Sequence, residues 1–408
     1  MNCRHCKKPV SLKFLDLGFQ PPSNSYLLPE DLNKPEVTYP LRLSVCEECW
    51  LVQTEDYAKE TEFFSRDYAY FSSTSTTWLK HAEAYCNKVE ERFGLSKQSF
   101  VIEVASNDGY LLKNFLKKEI PCLGIEPTDS TAEAAEKLGI PVMRQFFGET
   151  LARQLSGDGK SADLIIGNNV YAHVPDINDF TLGLFHALKP EGVITLEFPH
   201  LMRLVEFNQF DTVYHEHFSY LSLHTINRIF EASGLRIFDV EELTTHGGSL
   251  RLYGCKKTAG HSLNKRVEDL LGAENARGMQ TSLFYKNFQA KADIIKNDLL
   301  EFLIQAKKAG KKVAAYGAAA KGNTLLNYAG VKPDLISVVC DAAQSKQGKY
   351  LPGSHIPIYH ENHIKELKPD FIVIFPWNIK GEISRQLSYI KDWNGQFVIA
   401  IPSLAFFN

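Results

Sequence analysis

Residues 100–126 read FVIEVASNDGYLLKNFLKKEIPCLGIE, and this stretch decides the fold. The apolar run FVIEVA predicts a buried strand, residues 109–118 predict a helix, and CLGIEP predicts a second strand. The same alternation continues through a helix over 130–138 and the runs PVMRQFF, ADLIIGNN and GVITLEFP. Strands that alternate with helices form a mostly parallel sheet, so the sequence predicts an α/β, Rossmann-like domain.

The flanking sequence predicts three further parts. Residues 74–94 predict an amphipathic helix that leads into the central domain, and the strands LRIFDVEEL and SLRLYGCKK close that domain near residue 257. A charged stretch from about 262 to 310 predicts helices, and KKVAAYGAAAKGNTLLNYAG then starts a second Rossmann-like unit. The predicted segments are a cysteine module over 1–70, the central domain over 71–260, a helical linker over 261–310 and a C-terminal α/β domain over 311–408.

The composition is that of an ordinary globular protein. Of the 408 residues, 44% are hydrophobic and 23% are charged, and the formal net charge is -3. Since a phosphate backbone is usually met by a basic excess, we expect no nucleic-acid partner. The chain starts without an apolar signal segment and has no run of about 18 apolar residues, so we expect no membrane partner and a cytoplasmic location.

Four of the eight cysteines have the spacing of a metal site. Cys3 and Cys6 form one C-x-x-C pair, and Cys46 and Cys49 form another. Two such pairs complete the tetrahedral thiolate shell of a closed zinc site. Because sulfur fills all four positions, the sequence predicts a structural Zn²⁺ without an open position for catalytic water.

The turn after the first central strand predicts a binding site for an adenosine-containing ligand. In an open α/β sheet, ligands bind outside the carboxyl ends of the strands. The pattern G-x-G-x-x-G is absent, which argues against a dinucleotide, and Glu126 ends the next strand where a carboxylate can accept ribose hydroxyl protons. A domain without a bound nucleotide is the alternative. The candidate ligand residues are Glu103, Ala105, Asn107, Asp108, Gly109, Glu126, Pro127, Asn168 and Asn169.

The densest chemistry lies in FDTVYHEHFSY over residues 210–220. Histidines, a carboxylate and phenols are costly to bury together unless they satisfy one another. In an extended segment Tyr214 and Glu216 would share one face, and His215 and His217 the other, whereas a turn would break that division. A solvated polar loop is one alternative, and metal ligation ranks lower because the HExxH spacing is missing.

The second α/β unit carries a glycine-containing turn, YGAAAKGNT, over residues 316–324. Such a turn at a helix start presents backbone N–H groups to an anion, and Lys321 adds a positive charge. The segment predicts a nucleotide diphosphate site, with helix capping as the alternative reading. Its candidate residues are Tyr316, Gly317, Lys321, Asn323 and Thr324.

Five motifs in this order resemble the sugar C-methyltransferase family of bacterial deoxysugar pathways. They are the paired cysteines, EVASNDG, YHEH, THGGSLR at 245–251 and GAAAKGNTLLN at 317–327. The resemblance covers nearly the whole chain. The Ala105-Ser106 pair departs from the glycine-rich turn of methyltransferases at large.

The resemblance implies an enzyme that uses S-adenosylmethionine and binds structural zinc. Its implied reaction is C3 methylation of a dTDP- or similar NDP-4-keto-deoxysugar through a base-generated enolate. His217 is the implied general base, Glu216 orients or charges it, and Tyr214 bonds the sugar or the enolate oxygen. Tyr70 and His173 assist. We expect a monomer.

Three alternatives stay open. The first is an O-methyltransferase or a C5 methyltransferase that acts on a related sugar nucleotide. The second is a zinc-module RNA-binding protein with a methyltransferase fold, although residues 1–60 show only scattered basic residues. The third is an NAD-dependent sugar oxidoreductase that uses Asp341 of the second α/β unit as the cofactor acid.

Overall fold

A computed structural model describes residues 1–55, 57 and 71–408, in which the strands form three sheets. Tyr70 lies outside the described residues. The strands are β1 Leu12–Gln20, β2 Tyr39–Val45, β3 Val52–Thr54, β4 Val101–Val104, β5 Cys122–Ile125, β6 Val142–Met143, β7 Ala162–Asn168, β8 Leu188–Pro199, β9 Ser219–Tyr220, β10 Leu235–Leu243, β11 Ser249–Lys256, β12 Val313–Tyr316, β13 Val339–Cys340, β14 Ile358–Tyr359, β15 Phe371–Ile374, β16 Gln396–Ile399 and β17 Ala405–Phe407.

The helices lie mainly between the strands of the two larger sheets and in the segment that joins them. None of the helices in the described parts of the chain combines the length and the hydropathy that a membrane span requires. The α-helices are α1 Thr76–Phe93, α2 Leu112–Leu116, α3 Asp129–Lys137, α4 Glu149–Gly157, α5 Ile177–Ala187, α6 Leu201–Glu206, α7 Leu223–Ala232, α8 Lys265–Ala276, α9 Ser282–Lys286, α10 Phe288–Lys308, α11 Ala320–Ala329, α12 His363–Leu367 and α13 Lys380–Gln386.

The central sheet has seven strands in the order β10-β11-β8-β7-β4-β5-β6. Strands β4 to β8 pair in parallel, and β11 and β10 add an antiparallel edge. Successive side chains of β4 alternate between two cores, because Val101 packs with α1 and α2 whereas Ile102 packs on the opposite side with α4 and α5. Helices therefore cover both faces, and the predicted Rossmann-like α/β class is confirmed.

The C-terminal sheet has six strands in the order β14-β13-β12-β15-β16-β17. Its strands pair in parallel except for β17, which is antiparallel to β16. Helix α11 follows β12 after a short turn that begins at Gly317, whose φ is +90°. The second predicted α/β unit therefore has the strand, turn and helix order that its sequence indicated.

The predicted helical linker is packed into the core. The Phe14 ring of β1 stacks on Phe288 of α10, with ring centroids 4.7 Å apart. On α8 the fully buried Glu274 accepts hydrogen bonds from Nε2 of His200 at 2.7 Å and from the N–H groups of Leu223 and His224 at 2.7 and 2.8 Å. This carboxylate therefore caps the start of α7 and ties the joining segment to the central domain.

The N-terminal sheet is shared between distant parts of the chain, in the order β1-β2-β3-β9. Strand β9 immediately follows the YHEH segment, and its Tyr220 and Ser219 pair with Val52 and Gln53 of β3. The N–H of Thr54 also donates to the carbonyl of Phe218 at 3.2 Å. The cysteine module and the candidate catalytic segment are thus joined by one sheet.

The four predicted metal ligands form one cluster beside this sheet. The Sγ atoms of Cys3 and Cys49, and those of Cys6 and Cys46, are 3.4 Å apart, and all four lie within 4.8 Å of one another. Four thiolates at about 2.3 Å from a zinc ion would lie about 3.8 Å apart, so the cluster fits tetrahedral Zn²⁺. The donor set leaves no position for a substrate, which agrees with a structural role.

We expect Cys46→Ser to lower the zinc content of the purified protein from about one ion per chain toward zero, because three sulfur ligands no longer close the shell. Inductively coupled plasma mass spectrometry measures this content. The matched control is Cys340→Ser, which changes a fully buried thiol of the C-terminal sheet. Full zinc retention in Cys46→Ser would contradict the ligand set.

Candidate active site

A cavity of about 670 Å³ lies between the carboxyl edge of the central sheet, the YHEH segment and the start of α11. Eleven residues proposed from the sequence line it, together with residues that the sequence did not single out. The eleven are Ala105, Asn107, Glu126, Pro127, Asn168, Asn169, His173, Tyr214, Glu216, His217 and Lys321. The structure thus brings the predicted cofactor edge and the predicted catalytic residues to one space.

The carboxyl edge of the central sheet, where the cofactor is predicted to bind, presents hydrogen-bond acceptors to the cavity. Oε2 of Glu126 accepts the N–H of Asn107 at 2.9 Å, and Oε1 accepts the N–H of Thr128 at 3.0 Å. The buried Oδ1 of Asn169 has no hydrogen-bond partner among the described residues. The rings of Phe147 and Phe180 line the neighbouring cavity wall and pack edge to face, with ring centroids 5.2 Å apart. Carboxylate, free amide oxygen and aromatic wall together fit a nucleoside.

Three predicted cofactor residues lie behind the cavity wall instead of lining it. Glu103 is buried, and its burial, with Asp108 and Glu126 nearby, holds the pKa of its carboxyl well above the usual range. Oδ2 of Asp108 accepts the N–H of Ser73 at 3.1 Å, which fixes the turn. Gly109 has a φ of +74°, and a side chain there would collide with Ile140. These residues shape the turn that carries Asn107.

The YHEH segment is a turn, not a strand. The N–H of His217 donates to the carbonyl of Tyr214 at 3.0 Å, so the alternation of an extended chain is broken. Tyr214, Glu216 and His217 all line the cavity, whereas His215 turns away and its Nε2 lies 3.2 Å from the carbonyl oxygen of Tyr39. The turn alternative therefore holds, and the two-face division of an extended segment does not apply.

His217 lies at the centre of an aromatic group. Its ring centroid is 4.3 Å from that of Tyr214 and 4.6 Å from that of His173. Burial, with His173 nearby, holds the pKa of His217 well below its usual range. One ring nitrogen donates to the carbonyl of Thr212, so the other nitrogen of the neutral imidazole carries a lone pair. This arrangement suits a general base.

His173 is also neutral near pH 7. Burial lowers its pKa to about 4, and its ring donates to the backbone carbonyl of Glu216. This hydrogen bond links the turn after β7 to the YHEH segment. The two histidines therefore form one wall of the cavity without carrying charge.

Glu216 has a different partner from the one expected. Nδ2 of Asn24 donates to Oε1 and Oε2 of Glu216 at 2.9 and 3.2 Å. Burial raises the pKa of this carboxyl to about 7, and the bond from Asn24 opposes that rise. The carboxylate that was expected to orient His217 is thus held by Asn24, while the Thr212 carbonyl orients the histidine.

Lys321 supplies a cation to the opposite wall. Its Nζ donates to Oδ1 of Asn378 at 2.9 Å and lies 4.4 Å from the ring centre of Trp377. Burial lowers the pKa of Lys321 to about 8, although Asp211 opposes the shift. Trp377 in turn donates its indole N–H to Asp211 at 2.7 Å. The ammonium is therefore placed by the aromatic face of Trp377 and by Asn378, with the charge of Asp211 nearby.

The other four residues predicted for the nucleotide do not line this cavity. Tyr316 donates to Glu361 at 3.0 Å, and Gly317 provides the turn at positive φ. Asn323 donates to the carbonyl of Ser23, and Thr324 donates to that of Val213 at 2.8 Å. Asn323 and Thr324 therefore fasten α11 to the two segments that carry Asn24 and Tyr214.

The glycine-containing turn already binds an anion from within the protein, the carboxylate of Asp341. Oδ2 of Asp341 accepts the N–H of Ala318 at 2.7 Å, and Oδ1 accepts the N–H of Ala343 at the same distance. An external phosphate would compete with this carboxylate for the turn. Of the predicted anion site, Ala319, Ala320 and Lys321 line the cavity.

Several cavity residues gave no signal in the sequence. Trp78 stacks on His81 with ring centroids 4.9 Å apart, and His246 adopts a left-handed conformation with φ of 52°. Beneath them, despite burial, His81 and Arg251 lower the pKa of Glu197 to about 2. His246 lies in the THGGSLR motif, which supports the family resemblance without predicting a role for this histidine. Spacing alone could not show that it faces the cavity.

Comparisons with known proteins divide the chain into three successive regions. Family models match in succession for a zinc binding domain over residues 3–64, a methyltransferase domain over 78–240 and a C-methyltransferase C-terminal domain over 244–402. The chain is 31% identical over 400 residues to C-methyltransferase NovU of Streptomyces niveus, with 98% of this chain and 95% of that protein covered.

Solved structures overlap less extensively. Magnesium protoporphyrin IX methyltransferase of Synechocystis, with bound SAM, is 14% identical over 44% of this chain and 79% of its own, with a TM-score of 0.34. A S-adenosylmethionine-dependent methyltransferase of Clostridium acetobutylicum is 12% identical over 44% of this chain and 92% of its own, with a TM-score of 0.35. At these TM-scores neither structure supports a conclusion about the site.

The predictions of a methyltransferase, of S-adenosylmethionine as cofactor and of a zinc-binding N-terminal module are confirmed. The relationship spans zinc module, methyltransferase domain and C-terminal domain in the order that the motifs indicated. Because the match to NovU extends over nearly the whole length of both proteins, the chain belongs to the C-methyltransferase family that its motifs resemble.

Proposed function

We propose that the protein methylates C3 of an NDP-4-keto-deoxysugar, with dTDP as the expected nucleotide. The observation that carries this proposal is the neutral imidazole of His217, buried in a cavity between the cofactor edge and a lysine. A proton beside a carbonyl is acidic enough for such a base to remove. In this proposal residues 71–260 hold the cofactor and residues 311–408 supply the lysine.

The residues of the cofactor edge would hold S-adenosylmethionine. Glu126 would accept hydrogen bonds from the ribose hydroxyl groups, and Asn107 and Asn169 line the same wall. The cofactor, when bound, supplies an electrophilic sulfonium methyl group. The apolar part of the same wall excludes water from the reacting atoms.

The base and its neighbours would perform the proton chemistry. The free lone pair of His217 accepts the proton from C3, and the electrons of that C–H bond form the enolate with negative charge on the keto oxygen. Tyr214, whose ring lies against that of His217, would donate its hydroxyl proton in a hydrogen bond to that oxygen. Tyr70 keeps its proposed assisting role, outside the described residues.

The opposite wall would bind the charged part of the substrate. Lys321 would bind a diphosphate, and Lys346 also lines the cavity and donates from its Nζ to the carbonyl oxygen of Ala318 at 2.8 Å. Glu216, held by Asn24, offers a carboxylate to the same cavity and can accept a hydrogen bond from a sugar hydroxyl. These contacts favour an anionic sugar derivative as the substrate class.

The function is tested by incubating the protein with methyl-labelled S-adenosylmethionine and a panel of NDP-4-keto sugars. Mass spectrometry detects the transferred methyl group, and NMR locates it. Label on C3 supports the proposal, whereas label on C5 supports the C5 methyltransferase alternative. Label on oxygen, or transfer only to sugars without a ketone, would contradict it.

We expect His217→Ala to lower kcat by about 10²- to 10⁴-fold and to abolish solvent deuterium exchange at C3, because the base is lost. Calorimetry should show unchanged binding of S-adenosylmethionine. The matched control is His215→Ala, since His215 lies two residues away and faces Tyr39. Methylation at the wild-type rate in His217→Ala would remove this residue from the base role.

We expect kcat/KM for the sugar nucleotide to fall about tenfold from pH 7 to pH 9, because Lys321, with a pKa lowered to about 8 by burial, loses its charge over that range. His217 is already neutral there and should not produce this fall. Steady-state kinetics against pH measure the profile. In Lys321→Arg the charge persists, so the fall should disappear. A wild-type profile that stays flat would refute this role.

A further inference from the structure

Arg4 lies inside the first cysteine pair and is almost completely buried, with 7% of its surface exposed. Its backbone N–H donates to Oε1 of Gln53 in β3 at 2.9 Å. The turn that carries Cys3 and Cys6 is closed by the N–H of Lys7, which donates to the carbonyl of Cys3 at 3.1 Å. The metal-binding turn and the sheet therefore fix the start of this side chain.

The guanidinium of Arg4 leaves the cysteine module and reaches both histidine-bearing segments. Its Nη1 donates to the carbonyl of Pro175 at 3.1 Å, two residues beyond His173. Its Nε donates to the carbonyl of Phe218 at 3.2 Å, one residue beyond His217. The guanidinium carbon also lies 4.9 Å from the ring centre of Phe218. One planar group thus sets the spacing between the two segments.

A third bond anchors the same group to the N-terminal sheet. Nη2 of Arg4 donates to the carbonyl of Thr54 at 3.3 Å, where β3 ends. A guanidinium has five N–H donors in a fixed fork and can serve three carbonyls in different directions, whereas an ammonium is a compact point charge on a flexible stem. Removing the fork would take one donor from each of these carbonyls, although the carbonyl of Phe218 would keep the N–H of Thr54.

Asn178 makes a second connection between the turn that carries Cys3 and Cys6 and the segment that carries His173. Its Nδ2 donates to the carbonyl of His5 at 2.9 Å, and its Oδ1 lies 2.8 Å from Nδ1 of His5. Asn178 is in the first turn of α5, directly after the segment that carries His173. The cysteine module therefore contacts this segment at two points, through Arg4 and through Asn178.

We infer that Arg4 is a positioning residue, which holds the segments of His173 and His217 at their working separation through the carbonyls of Pro175 and Phe218. The ring centroids of these histidines are 4.6 Å apart, and a displacement of about 1 Å at a reacting group can reduce a rate by about 100-fold. The inference rests on the proposed role of His217. It gives the zinc module a part in catalysis beyond holding its own fold.

The experiment compares the zinc-loaded full-length protein with Arg4→Gln and Arg4→Lys. The matched control is Arg228→Gln, because Arg228 donates to the carbonyl of Glu48 in the second cysteine pair, at 3.0 Å, from the side of α7. Three quantities are measured: kcat, the Kd of S-adenosylmethionine, and amide hydrogen exchange of peptides 170–178 and 213–220 without ligands.

We expect Arg4→Gln to lower kcat by about 100-fold while the Kd of S-adenosylmethionine changes by less than about twofold. Exchange should become faster in peptides 170–178 and 213–220 and remain unchanged in the C-terminal sheet. Arg4→Lys should lose less activity, and added guanidinium ion should restore part of the turnover of Arg4→Gln. Arg228→Gln should behave as the wild type.

A kcat for Arg4→Gln within about threefold of wild type would overturn the inference. Faster exchange over the whole chain, with a matching loss of zinc, would also overturn it, because Arg4 would then serve folding alone. If Arg4→Gln does not fold, Asn178→Ala replaces it and should loosen peptide 170–178 specifically. If exchange changes locally in Arg4→Gln but the wild type transfers no methyl group, the proposed function is refuted. The positioning of the two segments by Arg4 would still be supported.

Discussion

The pairing of β3 with β9 is the interaction on which the rest of the structure depends. Two residues of each strand pair, and the bond from Thr54 to Phe218 extends the ladder to the end of the catalytic turn. This short ladder joins the N-terminal module to a segment of the central domain that lies far away in sequence. Together with the hydrogen bonds of Arg4 to the carbonyls of Pro175 and Phe218, it fixes the cysteine module relative to His217.

Enclosure explains the electrostatics of the site. The same loss of water that keeps His173 and His217 neutral raises the pKa of Glu216 and lowers that of Lys321. Each ionisable group therefore needs a specific partner: Asn24 for the acid, and Asn378 with the face of Trp377 for the lysine. These partners come from the first and last parts of the chain, so the central domain cannot form the site alone.

The sequence was most informative where an element is long and periodic. The strand LRIFDVEEL is observed as Leu235–Leu243, and the helix predicted over 74–94 is Thr76–Phe93. The helix predicted over 109–118 shortens to Leu112–Leu116, because the preceding turn with Asn107 and Gly109 at positive φ occupies its start. The run PVMRQFF keeps two strand residues, since β6 is an edge strand with one neighbour.

For the active site, the sequence predicted which residues carry the chemistry but not which residues they contact. The density of ionisable groups at 214–217 pointed to the catalytic segment, yet only the observed turn separates His215 from the cavity. Asn24 and Glu216 are 192 positions apart, and no local pattern relates them. Arg4, Asn24 and Trp78 matter through packing between distant segments, which a single sequence does not encode as spacing.

The shared N-terminal sheet also has a consequence during synthesis. While the ribosome has produced only the cysteine module, β3 has a neighbour on one side, and its other edge is open until residues 219 and 220 emerge. An open edge strand is a template for pairing with other chains. Until β9 emerges, after most of the central domain has been translated, this three-residue edge is open to pairing with other chains.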